Sequence, residues 1–208
     1  MEAIIFDKDG VLIDSMETCL TAFNTMLEHY GKRPIGKEEY RKRFWGIKAS
    51  ENIKNIFKGA RKDRLEEIAD YYRERRRELE HKTKLYPSVI PLLNSLKGKY
   101  KLAVVTNTER DVAKEILARF GIIKYFEVIV GGDDAKPKPA PDPALKACDL
   151  LGVEPGDAMY IGDTDADIGT AKSAGCVLVV VTNSKTRKEL AGVEAIIIDD
   201  LREVPNLL

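Results

Sequence analysis

Asp7 and Asp9 stand two residues apart at the end of an apolar run, Ile4-Ile5-Phe6-Asp7-Lys8-Asp9-Gly10. Such a run predicts a buried strand over residues 4–6, and Gly10 lets the chain turn sharply just beyond it. Both carboxylates then face the crevice at the strand's C-terminal edge, where open α/β sheets bind ligands. Two acids so placed repel each other, and a hard cation such as Mg2+ would offset that repulsion. It would leave Asp7 ionised as a nucleophile and Asp9 positioned for proton transfer. A cap or turn made of the same two acids is the plainer alternative that this segment alone leaves open.

Three further segments carry matching chemistry. Thr106-Asn107 closes an apolar run and offers a hydroxyl and an amide to phosphate oxygens. The proline-rich stretch 131–143 contains Lys136 and Lys138, and its prolines restrict where a lysine points. A rigidly placed ammonium there would neutralise both Asp7 and an incoming phosphate. Gly162-Asp163-Thr164-Asp165-Ala166-Asp167 follows another apolar run, with three acids shared between a cation and the cap of the next helix.

These segments need a scaffold that brings strand ends together. Residues 102–106, 127–130, 158–161 and 177–181 are short apolar runs, separated by helix-compatible stretches at 109–120, 142–151 and 165–174. With residues 3–6 they predict a five-stranded parallel sheet, to which 195–198 would add an edge strand. The expected fold class is α/β, a doubly wound parallel sheet, because right-handed crossovers cover both faces of such a sheet. Between Met16 and Lys84 strand alternation is absent. Leu20, Phe23, Leu27 and Tyr30 recur at helical spacing, Ile68, Ala69, Tyr72 and Leu79 form a narrower stripe over 65–79, and shorter helices are expected near 37–45 and 50–58. The division expected is therefore a discontinuous core, 1–15 and 85–208, with a helical cap inserted at 16–84 and hinges near 13–17 and 79–86.

Composition excludes several classes. The 208 residues are 44% hydrophobic and 33% charged, the balance of a soluble globular chain. No apolar stretch is long enough to span a membrane and the N-terminus opens straight into the first strand, so a cytoplasmic location is expected. Cys19, Cys148 and Cys176 are widely separated among apolar residues and read as buried thiols, and with only two histidines a structural zinc site is not expected. The absence of glutamine beside abundant Lys, Arg and Glu agrees with a heat-adapted source. Net charge is zero, yet residues 32–84 hold 18 Lys or Arg against 10 Asp or Glu. Interspersed acids and the lack of interleaved aromatics argue against nucleic acid as a partner. They leave a salt-bridged helical surface, or attraction of a small anion toward the acidic core. Trp45-Gly46-Ile47-Lys48 joins two predicted helices and offers a ring, a flexible joint and a cation. Trp45 and Lys48 are thus candidate substrate contacts, against the plainer reading of a cap-core tryptophan and a solvent-facing lysine.

In order along the chain, Asp7-Lys8-Asp9-Gly10-Val11, Thr106-Asn107, Lys138-Pro139-Ala140-Pro141 and Gly162-Asp163-Thr164-Asp165-Ala166-Asp167 resemble the four motifs of the haloacid dehalogenase superfamily, phosphatase branch. The resemblance covers essentially the full length. It implies that Asp7 is the nucleophile and Asp9 the acid/base, and that Thr106 and Lys138 hold phosphate. It further implies that Mg2+ is bound by Asp7, Asp163, the main-chain carbonyl of Asp9, and Asp167 directly or through water. Lys8 is a less usual occupant of its position, and its direction is open. The dehalogenating branch lacks the second acid of the first motif, so Asp9 favours phosphoryl transfer. The reading is a phosphomonoester hydrolase acting on a small phosphorylated metabolite, with phosphoglycolate as the leading substrate, in a monomer or homodimer. A phosphosugar mutase or pyrophosphatase of the same fold is the alternative, with a phosphoacceptor signalling module behind them.

Overall fold

A computed structural model describes residues 1–208. Six strands form one parallel sheet: β1 (Ala3–Phe6), β4 (Lys101–Val105), β5 (Val128–Val130), β6 (Ala158–Gly162), β7 (Val177–Val181) and β8 (Ile196–Ile198), in the spatial order β5-β4-β1-β6-β7-β8. Residues 195–198, expected as an edge strand, supply β8 beside β7. Strand order reverses around β1, whose neighbours are β4 and β6, so the crevice beyond β1 is a topological switch point.

Side chains alternate across the sheet and divide the core into two layers of different grain. Ile4 and Phe6 face bulky residues, Leu92, Leu93, Ile116 and Leu117, from α5 (Val89–Leu96) and α6 (Arg110–Arg119). Ala3 and Ile5 face small ones, Ala144, Ala147, Cys148 and Ala171, from α7 (Asp142–Leu151) and α8 (Asp165–Ala174). All three cysteines are buried free thiols. No helix is long and apolar enough to cross a membrane.

Between β1 and α5 lie four helices, α1 (Met16–His29), α2 (Lys37–Arg43), α3 (Ala49–Ile56) and α4 (Lys62–Leu79). They close on their own apolar centre, in which Phe23 meets Tyr40 at 5.3 Å and Phe44 at 5.2 Å between ring centroids and Tyr72 edge-on at 6.1 Å. The chain leaves the core through β2 (Ile13–Asp14) and returns through β3 (Lys84–Leu85), and these two pair antiparallel.

Four elements depart from the sequence expectation. β2 and β3 span two residues each, too short for alternation to register. Helix α5 is not among the helices expected from the sequence, and it carries a proline, Pro91, within it. Pro91 occupies the first turn, where an amide hydrogen has no intrahelical acceptor to lose. Helix α4 begins at Lys62, three residues before the apolar stripe that signals it.

Candidate active site

Asp7 follows β1 directly, and its main-chain N–H donates to the Ile161 carbonyl at 2.9 Å, which extends the β1–β6 register to the acid itself. Gly10 turns the chain with φ +87°. A Cβ there would stand 2.1 Å from the Asp163 carboxylate, so both the turn and the close approach require glycine. Asp163 follows β6, and Thr164 is the N-cap of α8. The Thr164 Oγ1 accepts from the Asp167 N–H at 3.2 Å while Asp167 Oδ2 accepts from the Thr164 N–H at 3.1 Å, a reciprocal capping box. That box fixes Asp167 facing Asp7. Asp165 points away, is exposed, and pairs with Lys185 at 2.8 Å.

Asp7, Asp163 and Asp167 are buried, with one carboxylate oxygen of each lying within 4.8 Å of the others. Lys138 is the cation among them, 2.8 Å from Asp7 Oδ1 and 2.6 Å from Asp167 Oδ1. Lys136 is exposed, so of the two lysines in the loop Lys138 enters the site. Tyr160 donates its hydroxyl to Asp167 Oδ1 at 3.1 Å. Asp163 Oδ2 accepts from the Trp45 indole N–H at 3.1 Å, whereas Asp163 Oδ1 is buried with no hydrogen-bond partner.

Two of the three carboxylates pair with the one ammonium and Asp163 does not, and the protonation balance reflects it. Burial, the Asp167 charge and the nearby Asp9 push the Asp7 carboxyl up to about 7 against the pull of Lys138. Burial and the Asp167 and Asp7 charges hold Asp163 well above the usual carboxylate range. Burial also acts on Asp167, but Lys138 and the Thr164 hydrogen bonds overcome it and keep that acid low. The two surplus negative charges and the unpartnered Asp163 Oδ1 match the needs of a divalent cation coordinated by oxygen. The site fits one, with Asp7, Asp163 and Asp167 as the acids able to hold it.

The Asp9 carboxylate lies outside that cluster. Of Asp9 only the main-chain carbonyl, which accepts no hydrogen bond within the protein, is left to hold the cation. The carboxylate turns toward the helical insertion. It accepts from Ser15 Oγ at 2.6 Å and Thr108 Oγ1 at 3.2 Å, and it lies 2.6 Å from Lys8 Nζ and 3.6 Å from Arg76. Burial would raise its pKa, but the Lys8 and Arg76 charges prevail and hold it well below the usual range. Lys8 is wholly buried, and its ammonium meets Asp9 as an ion pair not aligned as a hydrogen bond.

Thr106 is buried at the end of β4, and its hydroxyl accepts from the Thr108 N–H at 3.1 Å. Asn107 departs from the expected phosphate contact through its amide. Its Oδ1 accepts from the Lys138 N–H at 3.0 Å and its Nδ2 donates to the Gly46 carbonyl at 2.9 Å, so the amide locks the Lys138 loop to the insertion. Lys48 donates to the Gly132 carbonyl at 2.5 Å, and Trp45 belongs to the apolar centre of the insertion as well as touching Asp163.

A cleft of about 520 Å³ opens between the two parts, floored by Asp7, Asp9, Thr106 and Lys138 and roofed by Trp45–Lys48, Arg73 and Arg76. In the sequence Arg76 is one of the basic residues that make up the excess in 32–84. Its signal was spacing: four residues after the buried Tyr72, it continues the inward stripe of α4. Ser15, Thr108 and Tyr160 carried no signal, since each is an ordinary residue until the fold brings an acid against it.

The haloacid dehalogenase-like hydrolase family matches residues 4–181. The phosphoglycolate phosphatase of Aquifex aeolicus is 38% identical over 84% of this chain and 82% of its own. The phosphorylated carbohydrates phosphatase of Thermotoga maritima is 33% identical over 100% and 98%. A solved structure from Bacteroides fragilis, provisionally named a haloacid dehalogenase-like hydrolase, superposes with a TM-score of 0.89 at 28% identity, covering 97% of this chain and 98% of that one. With its four motifs gathered at one sheet edge, the chain belongs to the haloacid dehalogenase-like hydrolase family and is an enzyme of its phosphatase branch.

Proposed function

We propose that the protein hydrolyses small phosphomonoesters through an aspartyl-phosphate on Asp7, with Mg2+ as its cation. The observation that carries this reading is the buried charge arrangement, in which three clustered carboxylates, from the end of β1, the end of β6 and the first turn of α8, have only the Lys138 ammonium among them, paired with Asp7 and Asp167. Mg2+ held by Asp7, Asp163 and Asp167 would supply charge neutralisation for the phosphoryl group and keep Asp7 ionised.

Lys138 holds Asp7 Oδ1, so the second oxygen of that carboxylate is the one left to attack phosphorus. The P–O bond to the ester oxygen breaks as the new Asp7–phosphorus bond forms, and Asp9, ionised among its neighbours until the negative charge of the bound ester favours uptake of a proton, gives that proton to the departing alkoxide. In the second half Asp9, again a carboxylate, takes a proton from the water that attacks phosphorus and releases Asp7 and inorganic phosphate. The Lys8, Arg76, Ser15 and Thr108 contacts favour that ionised form of Asp9. Thr106 and Lys138 line the floor where equatorial phosphate oxygens would sit. Residues 16–84 act as a cap that excludes bulk water, with the β2–β3 pair as the joint on which it turns.

Phosphoglycolate is the leading substrate, supported by the Aquifex relative and by the arginines along the roof of the cleft. A sugar phosphate is the second reading, supported by the Thermotoga relative. Steady-state hydrolysis of phosphoglycolate, glucose phosphates and pyrophosphate with Mg2+ ranks the substrates by kcat/KM. Acid-quench trapping should find phosphate bound to the wild-type chain and none on Asp7→Asn, whose turnover should fall at least about 10⁴-fold. Turnover by Asp7→Asn near the wild-type rate would refute the nucleophile, whichever ester ranks first.

A further inference from the structure

Residues 45–48 of the insertion touch three of the four site loops at once. Trp45 Nε1 donates to Asp163 beyond β6, the Gly46 carbonyl accepts from Asn107 beyond β4, and Lys48 donates to Gly132 beyond β5. The fit at Gly46 is close: φ is +80°, and a Cβ there would stand 2.8 Å from the Thr164 side chain. The indole contact is the one that reaches an acid of the candidate metal centre. It occupies Asp163 Oδ2 and leaves Oδ1 buried and without a partner, in a carboxylate one of whose oxygens lies within 4.8 Å of oxygens of Asp7 and Asp167. Hydrogen bonds to the far oxygen of a ligating carboxylate orient it and tune its affinity for the cation. Here that bond comes from a different part of the molecule, 118 residues away in sequence.

We propose that Trp45 is a positioning residue for the metal centre, so that docking of the helical insertion and binding of the divalent cation strengthen each other through the Trp45–Asp163 hydrogen bond. This rests on the reading of Asp7, Asp163 and Asp167 as the cation site. The coupling is reciprocal by linkage: a docked insertion holds Asp163 ready for the cation, and a bound cation fixes the acceptor to which the indole docks. Trp45 is the single tryptophan of the chain, so its emission reports the contact without a label.

The test measures cation binding itself, with Mn2+ followed by electron paramagnetic resonance on the wild type, Trp45→Phe and Asp163→Asn. Trp45→Phe keeps an aromatic ring in the apolar centre and removes only the donor. It should bind Mn2+ about tenfold more weakly, the loss typical when a carboxylate ligand loses its supporting hydrogen bond. Hydrogen exchange in residues 44–56 of the wild type should slow on adding Mg2+, Trp45 emission should shift with the same midpoint, and the slowing should be much reduced in Trp45→Phe. Wild-type Mn2+ affinity in Trp45→Phe would overturn the proposal, as would exchange and emission in the wild type that ignore the cation. Those last two measurements need no variant to fold. If the wild type binds Mn2+ while Asp163→Asn does not, the metal centre stands and only the role of Trp45 is in question. If the wild type binds no cation, the metal reading fails and the proposal fails with it.

Discussion

The core edge and the helical insertion both hold charge, and they hold it in opposite ways. On the insertion, ion pairs such as Lys62–Glu66 and Arg64–Glu67 run along exposed helix faces at i,i+3 and i,i+4 spacing. At the core edge, Asp7, Asp163, Asp167, Lys8 and Lys138 are buried, the two lysines at most 2% exposed. The same chemical pairing contributes little in water and dominates in a cavity, because desolvation and Coulomb energy both grow as water is removed. The excess of basic residues in 32–84 is therefore mostly surface. The charges of the insertion that reach the core are the few that turn inward, among them Arg76 toward Asp9, Arg41 toward Ser184 and Lys48 toward Gly132.

The contrast breaks first at Lys138. Replacing it by Met leaves three buried acids without their cation and should destabilise the metal-free protein by about 3–5 kcal/mol. Urea unfolding with and without Mg2+ measures this, and a loss no larger than that of a surface lysine would show the core edge to be as solvated as the insertion.

A second, somewhat smaller effect is a pH dependence with an unusual sign. The Asp7 carboxyl, raised from 3.8 to about 7, stays protonated in the folded metal-free protein where it is ionised in the unfolded chain. Unfolding then releases a proton, so stability should fall as pH rises from about 4 to 7, by up to about 4 kcal/mol, with Asp163 adding in the same direction. Asp9 and Asp167, both held low, contribute stability that is lost only on acidification below about pH 4. Mg2+ requires the ionised acids, so the stabilisation it confers should grow across the same window. Thermal melts at pH 4.5 and 7, with Mg2+ or with EDTA, check it; a metal-free protein that gains stability over this range would contradict the arrangement.

Arg41 sharpens the comparison from the insertion's side. It donates to the Ser184 carbonyl at 2.6 Å and pairs with Glu189 at 2.7 Å, crossing from α2 to the loop after β7. Arg41→Ala should raise KM about threefold with little change in the melting temperature, the effect of one partly solvated latch. The smallest expected effect is at the exposed Lys62–Glu66 pair, where Lys62→Ala should leave both melting temperature and kinetics unchanged within error.

Much of the fold was legible because parallel strands buried on both faces are written as continuous apolar runs, of which Val177–Val181 is the clearest. The acids and Lys138 were legible because each sits just past such a run or in a loop stiffened by proline. Contacts that join distant segments were not. Trp45 admits two readings from sequence, core residue or site residue. Its ring packs near Tyr40 while its N–H reaches Asp163, so the two readings describe opposite ends of one amphipathic side chain. Asn107 looked like a ligand contact because an amide at a strand end is free until the fold supplies backbone partners, here Lys138 and Gly46. Lys8 was undecidable, since its long stem permits either face of the turn.

The β2–β3 pair makes the chain topologically interchangeable at one point. Ile13 lies opposite Leu85 and Asp14 opposite Lys84. From the core's side, everything between them is one closed excursion whose ends are already neighbours, as in a hairpin. Loop-closure entropy grows only logarithmically with excursion length. A two-residue turn or a larger module grafted at the same two strands would ask nearly the same of the sheet as the four helices now there. Such a junction would let the insert be exchanged while β1 and its acids keep their register.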